Sequence, residues 1–310
     1  VAGGGASGFM TAIAAAEAGV ADVHLLEATP EPLTKVRISG GGRCNVTHAC
    51  WDPRSLVDHY PRGNKALRGP FARFASGDAV AWFADHGLEL VEEPDGRLFP
   101  RANSSGAVID VLRRSAERSG VQVHIGQALH QARPLQGDGF ACELRQGGRR
   151  TNLHCRRLVL ATGAHPSGRQ LAAALGHRIV PPLPSLFSLS LQAPPLLALA
   201  GVAMDPVELE LRLDPGLVVQ PCYRQSGAVL ITHRGLSGPA LLRLTAFAAR
   251  DLKATAYQGE LRVNWAGSRT AAQLQHQLDQ ARTEQARRQL GSWRPWSELS
   301  RRLWLQLLEA

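Results

Sequence analysis

Apolar positions near the N-terminus change period twice within "VAGGGASGFMTAIAAAEAGVADVHLLEA". Val1 and Ala2 read as the end of a strand. Positions 9–18 are alanine-rich with helical spacing, and Gly19 suits the left-handed residue that closes a helix. Positions 22–27 alternate, turn apolar and end on Glu27, which marks a second strand. Strand, helix and strand make a βαβ unit. Only Val1 and Ala2 stand before Gly3, whereas a central strand usually has about 5 or 6 residues. With valine rather than methionine at position 1, both the first strand and the true start are expected to reach upstream.

Further along, two helical patterns occupy 64–86 around Phe71, Phe74, Trp82 and Phe83, aromatics expected in a core. Short strands at 88–93 and 97–100 flank the turn Pro94-Asp95-Gly96. A helix is expected over 104–119 and a strand at 121–126. Runs at 127–133, 139–145 and 150–156 read as a meander, and 157–164 is an apolar strand that stops at a small-residue turn. Composition shifts at Pro181, where "PPLPSLFSLSLQAPP" opens a region of short strands at 186–192, 207–213, 217–220, 228–232 and 259–265. From 268 the leucine spacing turns helical, and Trp293, Trp296 and Trp304 are expected to pack between helices.

Composition changes this picture little. The chain has 310 residues, 44% hydrophobic and 20% charged, which is ordinary for a soluble globular protein with room for two domains. No apolar run of about 18 residues suggests a membrane span, and no basic-then-apolar leader suggests secretion. The cysteines, Cys44, Cys50, Cys142, Cys155 and Cys222, are scattered with no CxxC pair. That argues against a zinc site or a disulfide framework, and a reducing cytoplasmic setting is expected. Among the histidines, no metal-ligand or Ser-His-Asp pattern stands out.

Charge adds more. The net charge is +9, and residues 33–73 hold Lys35, Arg37, Arg43, Arg54, Arg62, Lys65, Arg68 and Arg73 against only Asp52 and Asp58. Such a segment is either a solvated basic face or a site for polyanions, whether cofactor phosphate or nucleic acid.

The first loop carries recognisable chemistry. Gly3, Gly5 and Gly8 form G-x-G-x-x-G between strand and helix, with Ala6 and Ser7 inside it. In a dinucleotide fingerprint the first glycine makes a tight turn and the second admits the pyrophosphate. The third lets helix and strand pack, and an acid about 20 residues on takes the ribose diol, here Glu27. A second glycine run, "RISGGGRCNVTH", must be a loop, since glycine costs a helix interior about 1 kcal/mol.

Taken together, "GGGASG" with Glu27, "KVRISGGGRCNVTH", "GRLFP", "LVLATGA" and "THRGLSGPALL" resemble the BaiN/RdsA family of NAD(P)/FAD-dependent oxidoreductases, the YhiN-like flavoproteins. The resemblance covers nearly the whole chain. It implies an α/β fold: a Rossmann-like two-dinucleotide-binding FAD domain over 1–180, an inserted mainly-β domain over 181–267 and a small helical domain over 268–310. The family's closing glycine-rich segment of the FAD domain is expected to lie outside these residues, and the connection after "ATGA" is shorter than usual.

The resemblance also implies site residues. Gly40, Gly41 and Gly42 would let the chain pass against pyrophosphate and flavin, with their amides forming an anion nest. Lys35 and Arg43 would add charge near the phosphates. Ser39, Asn45, Thr47, Thr162 and Gly163 would line the cofactor. Cys44, beside Arg43, is a candidate proton donor for hydride transfer from the flavin, or a small packing residue. His233 is the rival acid and His48 a weaker one. With no second GxGxxG, NAD(P)H is expected to dock transiently as reductant, or another donor to serve.

Three functions fit. The first is reduction of uridine to dihydrouridine in ribosomal RNA, which the basic segment favours. The second is reduction of a small unsaturated, steroid-like ketone. The third is a non-catalytic FAD-fold scaffold binding RNA or protein.

Overall fold

The computed structural model of the protein describes residues 1–213 and 222–309. The strand expected at 217–220 lies outside them. The chain divides into two compact units, Val1–Val180 and Pro181–Ala310.

The first unit is built on a parallel sheet. His24–Glu27 pairs in parallel with Gln122–Ile125, and Ala2 bridges Leu26 on one side and Leu160 on the other. The strand expected over 157–164 shrinks to that bridge, because its neighbour offers only two residues. Ala2 N donates to Val159 O and Ala161 N to Ala2 O, each at 2.8 Å. The helix Ala6–Glu17 carries the chain from the first strand to the second. Its buried positions Gly8, Phe9, Ala12 and Ile13 repeat at helical spacing. Gly19, at φ +84°, closes it, donating to Ala16 O at 2.9 Å. The helix Ser105–Arg118, capped by Ser104, adds Val108, Ile109, Val111, Leu112 and Ala116 to the same apolar cluster. Each fully buried leucine or isoleucine there contributes about 1.5–3 kcal/mol.

Two antiparallel sheets complete this unit. Ala128–Pro134, Phe140–Gln146 and Arg149–Cys155 form the expected meander. Thr47–His48, Arg97–Pro100 and Leu90–Glu92 form the other. The aromatics of 64–86 differ from expectation in part. Phe83 is buried, but Phe74 is 46% exposed.

The second unit is a five-stranded antiparallel sheet ordered Glu260–Asn264, Ala203–Arg212, Cys222–Thr232, Gly235–Ser237, Leu189–Ser190. One face presents Val207, Leu209, Leu211, Val229 and Ile231 to a core. A helix that sequence reading left unassigned, Pro239–Ala254, covers it with Ala240, Leu241, Leu244, Thr245, Ala248, Ala249 and Leu252. Beyond the 267/268 boundary, Leu299 and Leu303 join this same core. Trp293 and Trp304 meet edge to face, with centroids 6.1 Å apart.

Candidate functional site

Where the chain leaves the parallel sheet, two glycines are required by close backbone contact and a third borders open space. Gly3 has φ +115°, and a Cβ there would lie 2.5 Å from Ala161 O. A Cβ on Gly8 would lie 1.8 Å from Gly3 O, so the helix rests directly on the loop. At Gly5, the N-cap of the helix, a Cβ would meet nothing within 4 Å. The first two glycines make room for the protein's own backbone. The third faces open space.

That space has anion-binding character. The first-turn amides of Ala6, Ser7 and Gly8 have no carbonyl to bond within the helix. No acidic residue stands in that turn, and the N-cap supplies no side-chain acceptor. A helix N-terminus with free amides favours negative charge.

Glu27 ends the second strand beside this loop. Its Oε2 accepts from Gly4 N at 2.8 Å, and its Oε1 accepts from Thr29 N at 2.8 Å and Thr29 Oγ1 at 2.7 Å. Oε2 keeps a further acceptor site, which a ribose hydroxyl can use. Gly4 O accepts from Leu33 N at 2.9 Å, which ties the loop to the start of the helix Thr34–Ile38. From that helix Lys35 reaches Gly163. Its Nζ is 4.0 Å from where a Gly163 Cβ would stand. Gly163 itself has φ +60°. Thr162 turns its hydroxyl toward the helix Pro166–Ala174, 1.8 Å from a Cβ position on Gly168.

Gly3–Gly8, Glu27, Lys35 and Ala161–Gly163 thus converge at the carboxyl ends of the parallel strands, where strand order reverses. Open α/β sheets bind their ligands there. The donors, the acid and the open Cβ position at Gly5 fit a dinucleotide such as FAD.

The second glycine run is a left-handed turn. Gly40 lies at φ 56°, ψ 31° and Gly41 at φ 68°, ψ 31°. Gly42 and Cys44 follow at φ +87° and +62°. Gly40 is also pressed by its surroundings, since a Cβ would lie 2.9 Å from Asn45 N. Gly41 and Gly42 face open space.

The polar residues of this run find partners within the protein. The amides of Arg43 and Cys44 donate to Gly40 O at 3.4 Å and Ser39 O at 3.0 Å. The Ser39 hydroxyl donates to Val36 O at 2.8 Å. Arg43 is not a free phosphate ligand. Its guanidinium lies 3.8 Å over the Phe99 ring and pairs with Glu93. Cys44, in its left-handed conformation, turns its side chain into the core, where it is 8% exposed and clusters with Leu33, Val36 and Phe83. The Asn45 amide faces Leu98 O at 3.3 Å and Thr47 O at 2.9 Å, which fixes its nitrogen toward them. Thr47 pairs with Leu98 across the sheet, and His48 Nε2 meets Asp95 O at 3.1 Å.

His233 lies in the second unit, exposed in the turn between Cys222–Thr232 and Gly235–Ser237. The glycines around it serve the sheet rather than a ligand. A Cβ on Gly235 would lie 1.9 Å from Leu189 O, and one on Gly238 2.8 Å from Ala228 O. Cys142 and Cys155 meet at 3.9 Å, and burial, then Cys155, push the Cys142 thiol up to about 12. Among the described residues no group of histidines, cysteines or carboxylates is placed to hold a metal, and no helix is long and apolar enough to cross a membrane.

Fold and loop together define a Rossmann-type dinucleotide-binding protein. Residues 1–273 match the HI0933-like protein Rossmann domain, and the chain belongs to that family. It is 29% identical over 284 residues to the 3-dehydro-bile acid delta(4,6)-reductase of Clostridium scindens, covering 88% of this chain and 65% of that protein. It is 30% identical over 257 residues to the ribosomal RNA dihydrouridine synthase of Escherichia coli, covering 79% of this chain and 59% of that one. The chain therefore spans about three fifths of the length of these relatives. The open conformation of a flavocytochrome c3 fumarate reductase overlays with a TM-score of 0.46 at 17% identity, over 66% of this chain and 46% of that one, a match too partial to argue from.

Proposed function

We propose that the protein is an FAD-dependent oxidoreductase that saturates a C=C bond conjugated to a carbonyl, with uridine in ribosomal RNA as substrate and dihydrouridine as product. The observation that carries this reading is the convergence of the open Gly5 position, the acceptor Glu27 and the Lys35 ammonium at one end of the parallel sheet. Bound FAD supplies a two-electron carrier that takes hydride from a reductant and gives it to the substrate. The chain's own residues hold it. The Ala6, Ser7 and Gly8 amides and Lys35 balance phosphate charge, and Glu27 accepts from ribose hydroxyls. Gly41 and Gly42 leave the approach clear.

Saturating the bond adds hydride at the carbon far from the carbonyl and a proton at the near one. With Cys44 in the core, that proton does not come from its thiol in this reading. In this reading NAD(P)H is the transient reductant, with another donor as the alternative. The name of the E. coli relative and the net charge of +9 favour RNA. A small unsaturated ketone is the second reading, supported by the name of the C. scindens relative and by Ile38, which is 74% exposed beside the glycine turn.

The test pairs a spectrum with a product. Purified protein given FAD should hold a flavin absorbance that NADPH bleaches anaerobically. Ribosomal RNA from a strain lacking the gene should lose one dihydrouridine. Retention of every dihydrouridine would remove the RNA reading. Bleaching speeded by an unsaturated steroid ketone would favour the second.

A further inference from the structure

The basic residues of 33–73 fall into two groups. Those near the glycine turn are mostly neutralised: Arg37 pairs with Glu31 and Arg43 with Glu93. On the neighbouring sheet Arg97 pairs with Glu93 and Asp95. Those beyond the Thr47–His48 strand are not. Arg54, Arg62, Lys65, Arg68 and Arg73 form no ion pair among the described residues. All but Arg62 are exposed.

They stand on a helical lobe with a firm base. Leu56 and Val57 of the helix Pro53–Asp58 are buried. The helix Asn64–Phe71 packs against it, and the rings of Tyr60 and Phe71 meet at 5.5 Å. Lys65 and Arg68 are spaced i and i+3, on one face of that helix. Among these charges the lobe leaves aromatic rings bare: Trp51 is 53% exposed, Phe74 46% and Tyr60 41%. A solvated basic face has no reason to carry three half-exposed rings. Cations that track phosphates, interleaved with rings that stack on unpaired bases, are the two devices that hold single-stranded nucleic acid.

We infer that the lobe from Trp51 to Phe74 is the docking surface for a single-stranded RNA segment, its cations on the phosphates and Trp51, Tyr60 and Phe74 on the bases. This rests on the RNA reading of the function. A base presented for reduction must leave its stack, and rings beside a phosphate track hold such a strand open.

The test is fluorescence anisotropy of a labelled, uridine-rich single-stranded RNA with the full chain across a series of salt concentrations. The lobe variant is R54Q/K65Q/R68Q/R73Q, and W51A/F74A removes rings without changing charge. The control, R113Q/R114Q/R133Q/R178Q, removes equal charge from exposed arginines elsewhere in the same unit. FAD affinity and melting temperature, which the proposal leaves unchanged in all three, report the fold. The lobe variant should bind at least about tenfold more weakly, with a salt slope shallower by about 3, since each lost phosphate contact on a single strand removes about 0.7. W51A/F74A should weaken binding with no change in slope, and the control should stay near wild type. Wild-type-like binding by the lobe variant, or equal loss in the control, overturns the inference and leaves the RNA reading standing. No binding by the wild type at low salt removes both. Displacement of the RNA by polyglutamate at equal charge concentration points to an acidic protein partner and also overturns it.

Discussion

The Gly3–Gly8 loop and the Ser39–Gly42 turn are both glycine-rich, yet their glycines do different work. In the first, Gly3 and Gly8 are demanded by backbone atoms 2.5 and 1.8 Å from where a Cβ would stand. Only Gly5 opens outward. In the second, Gly41 and Gly42 open outward and are demanded by their left-handed backbone. The first loop holds helix against sheet and offers its amides to a ligand. The second has tied up its arginine, its cysteine and its asparagine, and offers bare glycine backbone. Glycine content alone does not distinguish these roles; the direction of the missing Cβ does.

Substitutions separate them. Gly8→Val forces helix and loop apart, and the expected loss of about 3 kcal/mol is that of overpacking a tight contact; urea unfolding measures it, and an unchanged midpoint would break the comparison. Gly5→Val should leave the fold within about 0.5 kcal/mol, as at a surface position. It should weaken FAD at least about tenfold, equal to 1.4 kcal/mol. Gly42→Ala meets no atom, so only the left-handed strain of about 1 kcal/mol remains, visible as a lower unfolding free energy. Smallest is Lys35→Met. Losing one exposed cation near phosphate should weaken FAD by severalfold at low salt and less at high salt, since such pairs are worth up to about 1 kcal/mol and are screened. A loss independent of salt would argue that Lys35 acts by packing.

The first loop was legible in the sequence because its chemistry follows from spacing along the chain. Strand, three glycines, helix and acid can meet in few ways. The second was legible as a loop and not beyond that. Which way Arg43, Cys44 and Asn45 point depends on left-handed residues at Gly42 and Cys44 and on partners far along the chain, Glu93, Phe99 and Leu98. No local pattern encodes those. The helix Pro239–Ala254 is a different failure. Its buried positions 240, 241, 244, 245, 248, 249 and 252 carry a plain helical period, but the preceding "GLSGP" reads as a turn and hides the start. Proline at the first helical position after glycine is a starting signal. Phe74 was expected inside because aromatic residues usually are; its exposure, with Trp51, is what distinguishes the lobe from an ordinary charged helix.

The central claim is that the open space before Gly5 is a cofactor site built into the first unit. Its most direct test is an equilibrium titration of FAD by flavin fluorescence, run on the wild type and on Gly5→Val, with melting curves of both apoproteins. The account expects saturable binding by the wild type, a loss of at least about tenfold in the variant, and superimposable melting curves. Equal affinity in the two proteins, with the fold intact in both, would contradict it.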